Sequence, residues 1–266
     1  MDKSVDLEAI RQGLIRIRGD PSSRPDGSVV IPVNAAEDLG MVLQLLNDLV
    51  GYSGRYRFEV VLVVNNYSPE HPPEEIEGYR HLGANVLAVP EIQSPGIEVI
   101  LGARLAGMEV VHSEKTIHFD ADCRIPNINA LFDWIMEAFK SGAQLAYSHV
   151  SYYDFLKIPS VYTRIAVHHL IRWIKRNLLG IPTTRGSNYA IDRSLFLALA
   201  RAGKISVDFQ VGPEVKACGA QIAYTDHPDM RVLTSGRKIR GGWFRFVRYL
   251  LFRLRVNLKS IPSQSY

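Results

Sequence analysis

Apolar residues in this chain come as short unbroken runs separated by longer stretches of helical spacing. Ser28-Val29-Val30-Ile31-Pro32-Val33 and Phe58-Glu59-Val60-Val61-Leu62-Val63-Val64 are near-continuous, the pattern of strands covered on both faces. Asn85 to Val89 and Thr116 to Phe119 give two shorter runs, and helical periodicity predicts helices over 35–50 and 97–112. Asn34, with Glu37 three positions on, predicts a capping box opening the first of these helices. Upstream, Leu7, Ile10, Leu14 and Ile17 predict a short amphipathic helix over 5–17, and Gly19 to Gly27, with Pro21 and Pro25, reads as a linker. Strand alternating with helix implies an α/β fold with a mostly parallel sheet covered on both faces. Ligands in such sheets bind beyond the carboxyl ends of the strands, where Asn34, Asn65, Asn66, Asp120 and Asp122 all fall.

The two acids carry the first chemistry. In an extended chain residues i and i+2 project to the same side, so Asp120 and Asp122 address one point from the mouth of a strand. Such a pair suits a hard divalent ion. Mg²⁺ in particular is often held by one or two carboxylates plus substrate phosphates. The alternative is a solvated turn bearing two surface acids.

Composition narrows the classes. With 266 residues, 47% hydrophobic and 22% charged, the chain is long enough for a sizeable core and is not largely disordered. Its two cysteines, Cys123 and Cys218, offer neither a disulfide framework nor zinc spacing, which predicts a reducing, cytoplasmic setting with a free core thiol. The eight histidines show no metal-ligand spacing, and His168-His169, on the apolar stretch 158–178, reads as packing or surface. The start, Met1-Asp2-Lys3-Ser4-Val5-Asp6, lacks the basic and apolar regions of a signal peptide, and no run approaches the roughly 20 apolar residues of a membrane span.

The net charge of +4 is uneven. Nine Lys and Arg residues follow Asp229, the last acid, so residues 1–229 carry a net charge of −5. Projected as a helix, Arg245, Arg248, Arg253, Arg255 and Lys259 fall within an arc of about 160°, opposite Trp243, Phe244, Val247, Leu250, Leu251, Leu254 and Leu258. A basic amphipathic helix of this kind suits an anionic membrane surface, placing the protein peripherally on the inner face of the membrane. Docking on its own domain or on a second copy, as a homo-oligomer, is the alternative. No reading motif accompanies it, so no specific nucleic-acid partner is expected.

Four segments in order, Val29-Val30-Ile31-Pro32-Val33, Val63-Val64-Asn65-Asn66-Tyr67-Ser68, Ala103-Arg104-Leu105-Ala106-Gly107 and Phe119-Asp120-Ala121-Asp122, resemble the nucleotide-sugar half of family-2 glycosyltransferases with the GT-A fold. Later, Arg185-Gly186-Ser187-Asn188-Tyr189-Ala190 resembles the family's Gly-x-Asn-x-Ala acceptor segment. Val207-Asp208-Phe209, with Gly219 eleven residues past Asp208, resembles its Glu-Asp helix start, and Val232-Leu233-Thr234-Ser235-Gly236-Arg237 its late Ser-x-Arg segment. The likeness divides the chain into an N-terminal helix and linker (1–27), a Rossmann-like GT-A domain (28–238) and the basic tail (239–266). There are departures. Asn34-Ala35-Ala36 stands where the family has an aromatic residue and Asn-Glu, Asn65 where Asp is common, Arg104-Leu105 for Arg-Asn, and Val207-Asp208 for Glu-Asp.

The resemblance implies a transferase moving a sugar from a nucleoside diphosphate, UDP- or GDP-linked, to a hydroxyl acceptor. It implies nucleotide-sugar contacts at Pro32, Val33, Asn34, Asn65, Asn66, Arg104, Asp120 and Arg237, and acceptor contacts at Gly186, Ser187 and Asn188. Mn²⁺ or Mg²⁺ would sit on Asp120 and Asp122, with Asp122 the main ligand. Asp208 becomes the candidate general base of an inverting transfer, which needs one carboxylate to take the acceptor's proton. From residue types alone Asp208 instead caps the helix running through Pro213 to Cys218. Two other functions stay open: a retaining GT-A transferase of the glucosyl- or mannosylglycerate-forming type, and a catalytically silent sugar-nucleotide-binding or membrane-scaffolding protein.

Overall fold

A computed structural model describes residues 6–93, 95–155 and 158–236, together with Phe244, Val247, Arg248 and Leu251 of the tail. The predicted strands form as β1 (Gly27–Asn34), β2 (Phe58–Asn65), β3 (Asn85–Ala88) and β4 (Lys115–His118). The helices between them are α2 (Leu39–Leu49), α3 (Glu75–His81) and α4 (Val99–Val110), preceded by α1 (Leu7–Arg18). The second half adds α5 (Ile128–Lys140), β5 (Leu145–Ser148), β6 (Val150–Tyr152), α6 (Pro159–Asn177), β7 (Tyr189–Asp192), α7 (Arg193–Arg201), α8 (Asp208–Ala217), β8 (Ile222–Thr225) and β9 (Val232–Thr234). Seven strands make the main sheet in the order β3-β2-β1-β4-β7-β5-β8, and β6 pairs with β9 beside it. Within the main sheet only β7 runs antiparallel, against both β4 and β5.

Alternation along β1 explains the layering. Val29, Ile31 and Val33 point into the larger core with α1, α2 and α5, where Ile10, Leu14, Leu45, Leu46 and Phe132 are buried. Val30 faces the opposite side, under α4, with Val61, Val63 and Ala103. Continuous apolar runs are what two covered faces require. A third cluster packs α4, α7 and α8 on β5 and β7. Of the stripe predicted for the first helix, Ile10, Leu14 and Ile17 join the main core, while Leu7 is exposed.

The first helix boundary differs from expectation. The oxygen of the Asn34 side chain accepts from the Ala36 amide at 3.0 Å, and its carbonyl accepts from the amides of Glu37 and Asp38 at 3.1 and 2.8 Å. A turn thus consumes residues 35–38, and α2 opens at Leu39 without the expected Asn34–Glu37 capping box. An Asn side chain bonded two residues on offers the backbone an alternative to helix, and here that alternative is taken.

Helix α4 lies close on the sheet at Gly107, where an added Cβ would stand 2.6 Å from Val30 Cγ1 and 2.9 Å from Val63 Cγ2. Both valines are β-branched and buried, so neither yields readily. Overpacking costs about 1–3 kcal/mol, against about 1 kcal/mol gained in helix propensity. Gly107→Ala is expected to lower the urea midpoint; an unchanged or raised midpoint would show that the helix simply lifts.

Candidate active site

The strand ends open into one cleft of about 1030 Å³, lined by Pro32, Asn34, Asn65, Asn66, Asp120, Asp122 and Asp208 among others. Its place follows from strand order. β2 and β4 flank β1 on opposite sides, and a parallel sheet leaves its crevice where the winding reverses. At one end Asn34 and Asn65 are register partners on β1 and β2. Asn66, in the left-handed region at φ 63°, donates from its amide to Asn34 Oδ1 at 2.8 Å. Asn tolerates that backbone conformation because its short side chain bonds locally.

Asp120 and Asp122 line this cleft, but not as alternate residues of a strand. β4 ends at His118, and the Cys123 amide closes a turn on the Asp120 carbonyl at 3.0 Å. The turn is clamped from both sides. Arg124 binds Asp48 of α2 through Nε and Nη2 at 2.8 and 3.2 Å, and Gln44 through Nη1 at 2.7 Å. Its backbone exchanges hydrogen bonds with Leu233 of β9 at 2.8 and 2.9 Å. This brings Thr234 Oγ1 to donate to Asp122 Oδ1 at 3.0 Å.

Between Asp120 and Asp208 lies Arg104 of α4, with no exposed surface. Its Nη2 donates to Asp120 Oδ1 at 2.5 Å and its Nη1 to the Phe119 carbonyl at 3.2 Å. Nε sits 3.0 Å from Asp208 Oδ1, an ion-pair distance but off the line of an N–H hydrogen bond. Tyr189 donates its hydroxyl to the same Asp208 oxygen at 3.0 Å, and its ring lies 5.9 Å from the guanidinium. Burial opposes the charge on Arg104, yet Asp208, Tyr189 and Asp120 raise its pKa above the ordinary value. His118, beneath, is stacked at 4.7 Å on Tyr189; burial first and Arg104 second push its pKa far down, so it is neutral.

Asp208 is not the cap of α8. The residue before the helix is Val207, and Gln210 Oε1 reaches back to accept from the amides of Ser206 and Val207 at 2.7 and 3.2 Å. The Asp208 carboxylate instead turns to Arg104 and Tyr189 with Oδ1, while Oδ2 lies against Gly186, 2.6 Å from where a Cβ would be. That same Cβ would stand 2.8 Å from Asp120 Oδ1 and collide with the Arg104 guanidinium, so only glycine fits between the acids.

The other expected residues divide. Gly186 and Ser187 line the cleft, and Ser187 donates to Asp120 Oδ2 at 2.7 Å. Asn188 does not line it. Its Oδ1 accepts from the Arg185 amide at 3.2 Å and its Nδ2 donates to the Ser148 carbonyl, so it ties the loop to β5 rather than meeting an acceptor. Val33 is packed in the core, which leaves its side chain no nucleotide to touch. Arg104, expected at the nucleotide sugar, is instead enclosed between the acids. Arg237 and nearly all of the predicted tail helix lie outside the described residues. The two cysteines part: Cys123 is buried beside the acids and Cys218 is exposed.

The cleft also holds Glu98, Tyr152, His168 and Arg185, none of them expected as site residues. A signal existed for two. Arg185 opens the Gly186 segment, and His168, read from sequence as packing or surface, recurs with Arg164 and Arg172 every fourth residue on α6.

A divalent ion fits the donor set. Among the described residues no three His, Cys, Asp or Glu side chains form a protein-only cage. An incomplete pair of carboxylates facing a cleft is what a cation shared with substrate phosphates needs. Both oxygens of Asp120 engage Arg104 and Ser187, and Asp122 Oδ1 accepts from Thr234.

Solved structures share this architecture. A mannosyltransferase from Pyrobaculum calidifontis, in complex with GDP-Man and Mn²⁺, is 17% identical with a TM-score of 0.58, covering 96% of this chain and 76% of that one. A glucosyl-3-phosphoglycerate synthase from Mycobacterium tuberculosis, in complex with phosphoglyceric acid, is 14% identical at 0.56, covering 96% and 85%. GalNAc-T7 with UDP, GalNAc and Mn²⁺ is 16% identical at 0.53, covering 81% of this chain and 44% of its own. The fold is that of the GT-A glycosyltransferases. No family model and no curated protein sequence matches the chain.

In this GT-A cleft Arg104 is the common counterion of two acids. Breaking a buried pair costs about 3–5 kcal/mol, and the partial exposure of both carboxylates places Arg104→Met toward the low end. Chemical denaturation is the check. A loss under about 1 kcal/mol, the value of a surface pair, would show that water readily replaces the guanidinium.

Proposed function

We propose that this chain is a metal-dependent glycosyltransferase that moves a sugar from a nucleoside-diphosphate sugar to a hydroxyl acceptor with inversion. One observation carries the reading: Asp120, Asp122 and Asp208, from distant segments, line one cleft at the carboxyl ends of a GT-A sheet. The three similar structures bear on it too, since two hold Mn²⁺ and two hold GDP-Man or UDP. Mn²⁺ or Mg²⁺, held by Asp122 with Asp120, would supply positive charge to a departing diphosphate.

The chain's own residues do the rest. Asn34, Asn65 and Asn66 form the nucleotide end, each amide able to accept from a base N–H and to donate. Asp208 takes the acceptor's proton through Oδ2, beside Gly186, while Arg104 and Tyr189 hold Oδ1. Burial first, then the charge of Asp208, raises the pKa of Tyr189, so it remains a donor. Arg104 is a positioning residue here, because it has no surface in the cleft.

A second reading, a retaining transferase of the glucosylglycerate-forming type, is favoured by the likeness to glucosyl-3-phosphoglycerate synthase. The anomeric configuration of the product, read by NMR, separates the two. Screening UDP- and GDP-sugars with Mn²⁺ by thermal shift should find a donor; none binding would end the transferase reading. Asp208→Asn is expected to lower kcat by about 10²–10⁴, the range for a general base, with donor binding intact. Undiminished turnover would remove Asp208 from that role, and donor binding without turnover in the parent would favour the silent alternative.

We also read the tail as a peripheral attachment to the inner face of an anionic, cytoplasm-facing membrane. Phe244, Val247 and Leu251, at helical spacing, are exposed, and no helix among the described residues is long and apolar enough to cross a membrane. Flotation with anionic vesicles should be lost on deleting residues 240–266; identical flotation sinks this reading.

A further inference from the structure

The buried face of α6 is not apolar. Its inward residues are Val161, Arg164, His168 and Arg172, and the last three are only 4, 2 and 3% exposed. Arginine is among the residues least often fully buried, so such a face needs a reason. The helix packs on β6. Arg172 Nη1 donates to the Val150 carbonyl at 3.3 Å, and His168 Nδ1 lies 3.1 Å from the Tyr152 hydroxyl. From the acceptor loop, Arg185 Nη1 donates to that hydroxyl at 3.0 Å, with its guanidinium 5.7 Å from the ring centre. Tyr152, His168 and Arg185 line the same cleft as the acids.

Arginines carry the charge of this wall. Burial, followed by Arg172 and with Arg231 adding to both, pushes the pKa of His149 down to about 3 and that of His169 down to about 4. Both rings are neutral and stack at 5.0 Å. Asp154, just past β6, accepts from the Ser235 hydroxyl at 2.7 Å and from the Gly236 amide. The lining of the cleft is acidic beyond Asp120, Asp122 and Asp208, with Glu98 among its other carboxylates, and Arg185 is the one Arg or Lys among its described lining residues. Arg185 directly precedes Gly186, where an added Cβ would collide with Arg104, Asp208 and Asp120.

We propose that the Tyr152–His168–Arg185 wall binds an oxyanion, a phosphate or carboxylate, carried by the acceptor, so that the enzyme selects anionic hydroxyl compounds. A guanidinium fork suits such a group bidentately. The acids at the opposite end repel it, which orients the acceptor with its anion at Arg185 and its hydroxyl toward Asp208. The word acceptor rests on the transferase reading; the anion site itself does not.

Binding of glycerol 3-phosphate, inorganic phosphate and glycerol to the full chain tests this by calorimetry. EDTA is present so that no cation recruits phosphate to Asp120 and Asp122. Both phosphates should bind and glycerol should not. Arg185→Gln should weaken phosphate at least tenfold, with Arg185→Lys, which keeps the charge but not the fork, between the two. Equal phosphate affinity across parent, Lys and Gln proteins overturns the proposal, as does glycerol binding as well as its phosphate. If the Gln variant does not fold, the Lys variant decides: affinity equal to the parent's counts against the fork.

Sedimentation with phosphatidylcholine vesicles, with and without phosphatidic acid, distinguishes the source. Arg185-dependent sedimentation assigns a lipid headgroup, and soluble binding without it assigns a free phosphate; both support the site. UDP-glucose and GDP-mannose binding with Mn²⁺ is measured alongside. Donor binding without phosphate binding defeats this proposal alone, whereas phosphate binding without any donor defeats the transferase reading alone.

Discussion

A guanidinium closed off from water, held between two carboxylates, organises this molecule's cleft. Taking a charge out of water is costly, and the cost is met only where opposite charge and well-placed acceptors surround it. Arg104 has Asp120, Asp208, the Phe119 carbonyl and the Tyr189 ring around it. These groups come from α4, the turn after β4, the start of α8 and β7, elements that share no local sequence. One buried cation thus sets the relative positions of segments that length alone would leave independent. The absence of a side chain at Gly186 is part of the same arrangement, since an added Cβ there would collide with Arg104, Asp208 and Asp120, and the next residue, Ser187, donates to Asp120.

From that centre the cleft divides by charge and by the half of the chain that builds it. The parallel half, β1, β2 and β4, contributes polar amides and the carboxylate turn at its strand ends. The later half, with α6, β6 and the loop before β7, contributes a wall of Tyr152, His168 and Arg185. Arg124, bonded to α2 through its side chain and to β9 through its backbone, couples the two at the turn. An anion is repelled by the carboxylate turn and drawn toward the guanidinium of Arg185. Charge pattern of this kind selects and orients more than it adds affinity.

Much of the fold was legible along the chain. Unbroken apolar runs at 28–33 and 58–64 have no solvent face to offer, so they must lie inside a sheet covered on both sides, and they do. Asn34, Asn65, Asp120 and Asp122 were placed by their position just after such runs, which is a local property. The helix ending at Ala217 before Gly219, at φ 73°, was equally local, because a left-handed residue there needs no distant partner.

What the chain alone settled, then, was the four strands of the first half, the helices at 7–18, 99–110 and 208–217, and which polar residues stand at the strand ends, because periodicity and turn chemistry act over a few residues. Tertiary structure decided what each polar group bonds to. Asn34 forms a turn with Ala36 and pairs with Asn66 instead of capping α2, Gln210 rather than Asp208 serves α8, and Asn188 bonds backbone rather than ligand. The antiparallel insertion of β7 between β4 and β5 likewise leaves no local trace. Hydrogen bonds and ion pairs go to whichever partner burial brings within reach, and only packing of the whole chain brings residues 104, 120, 186 and 208 within reach of one another.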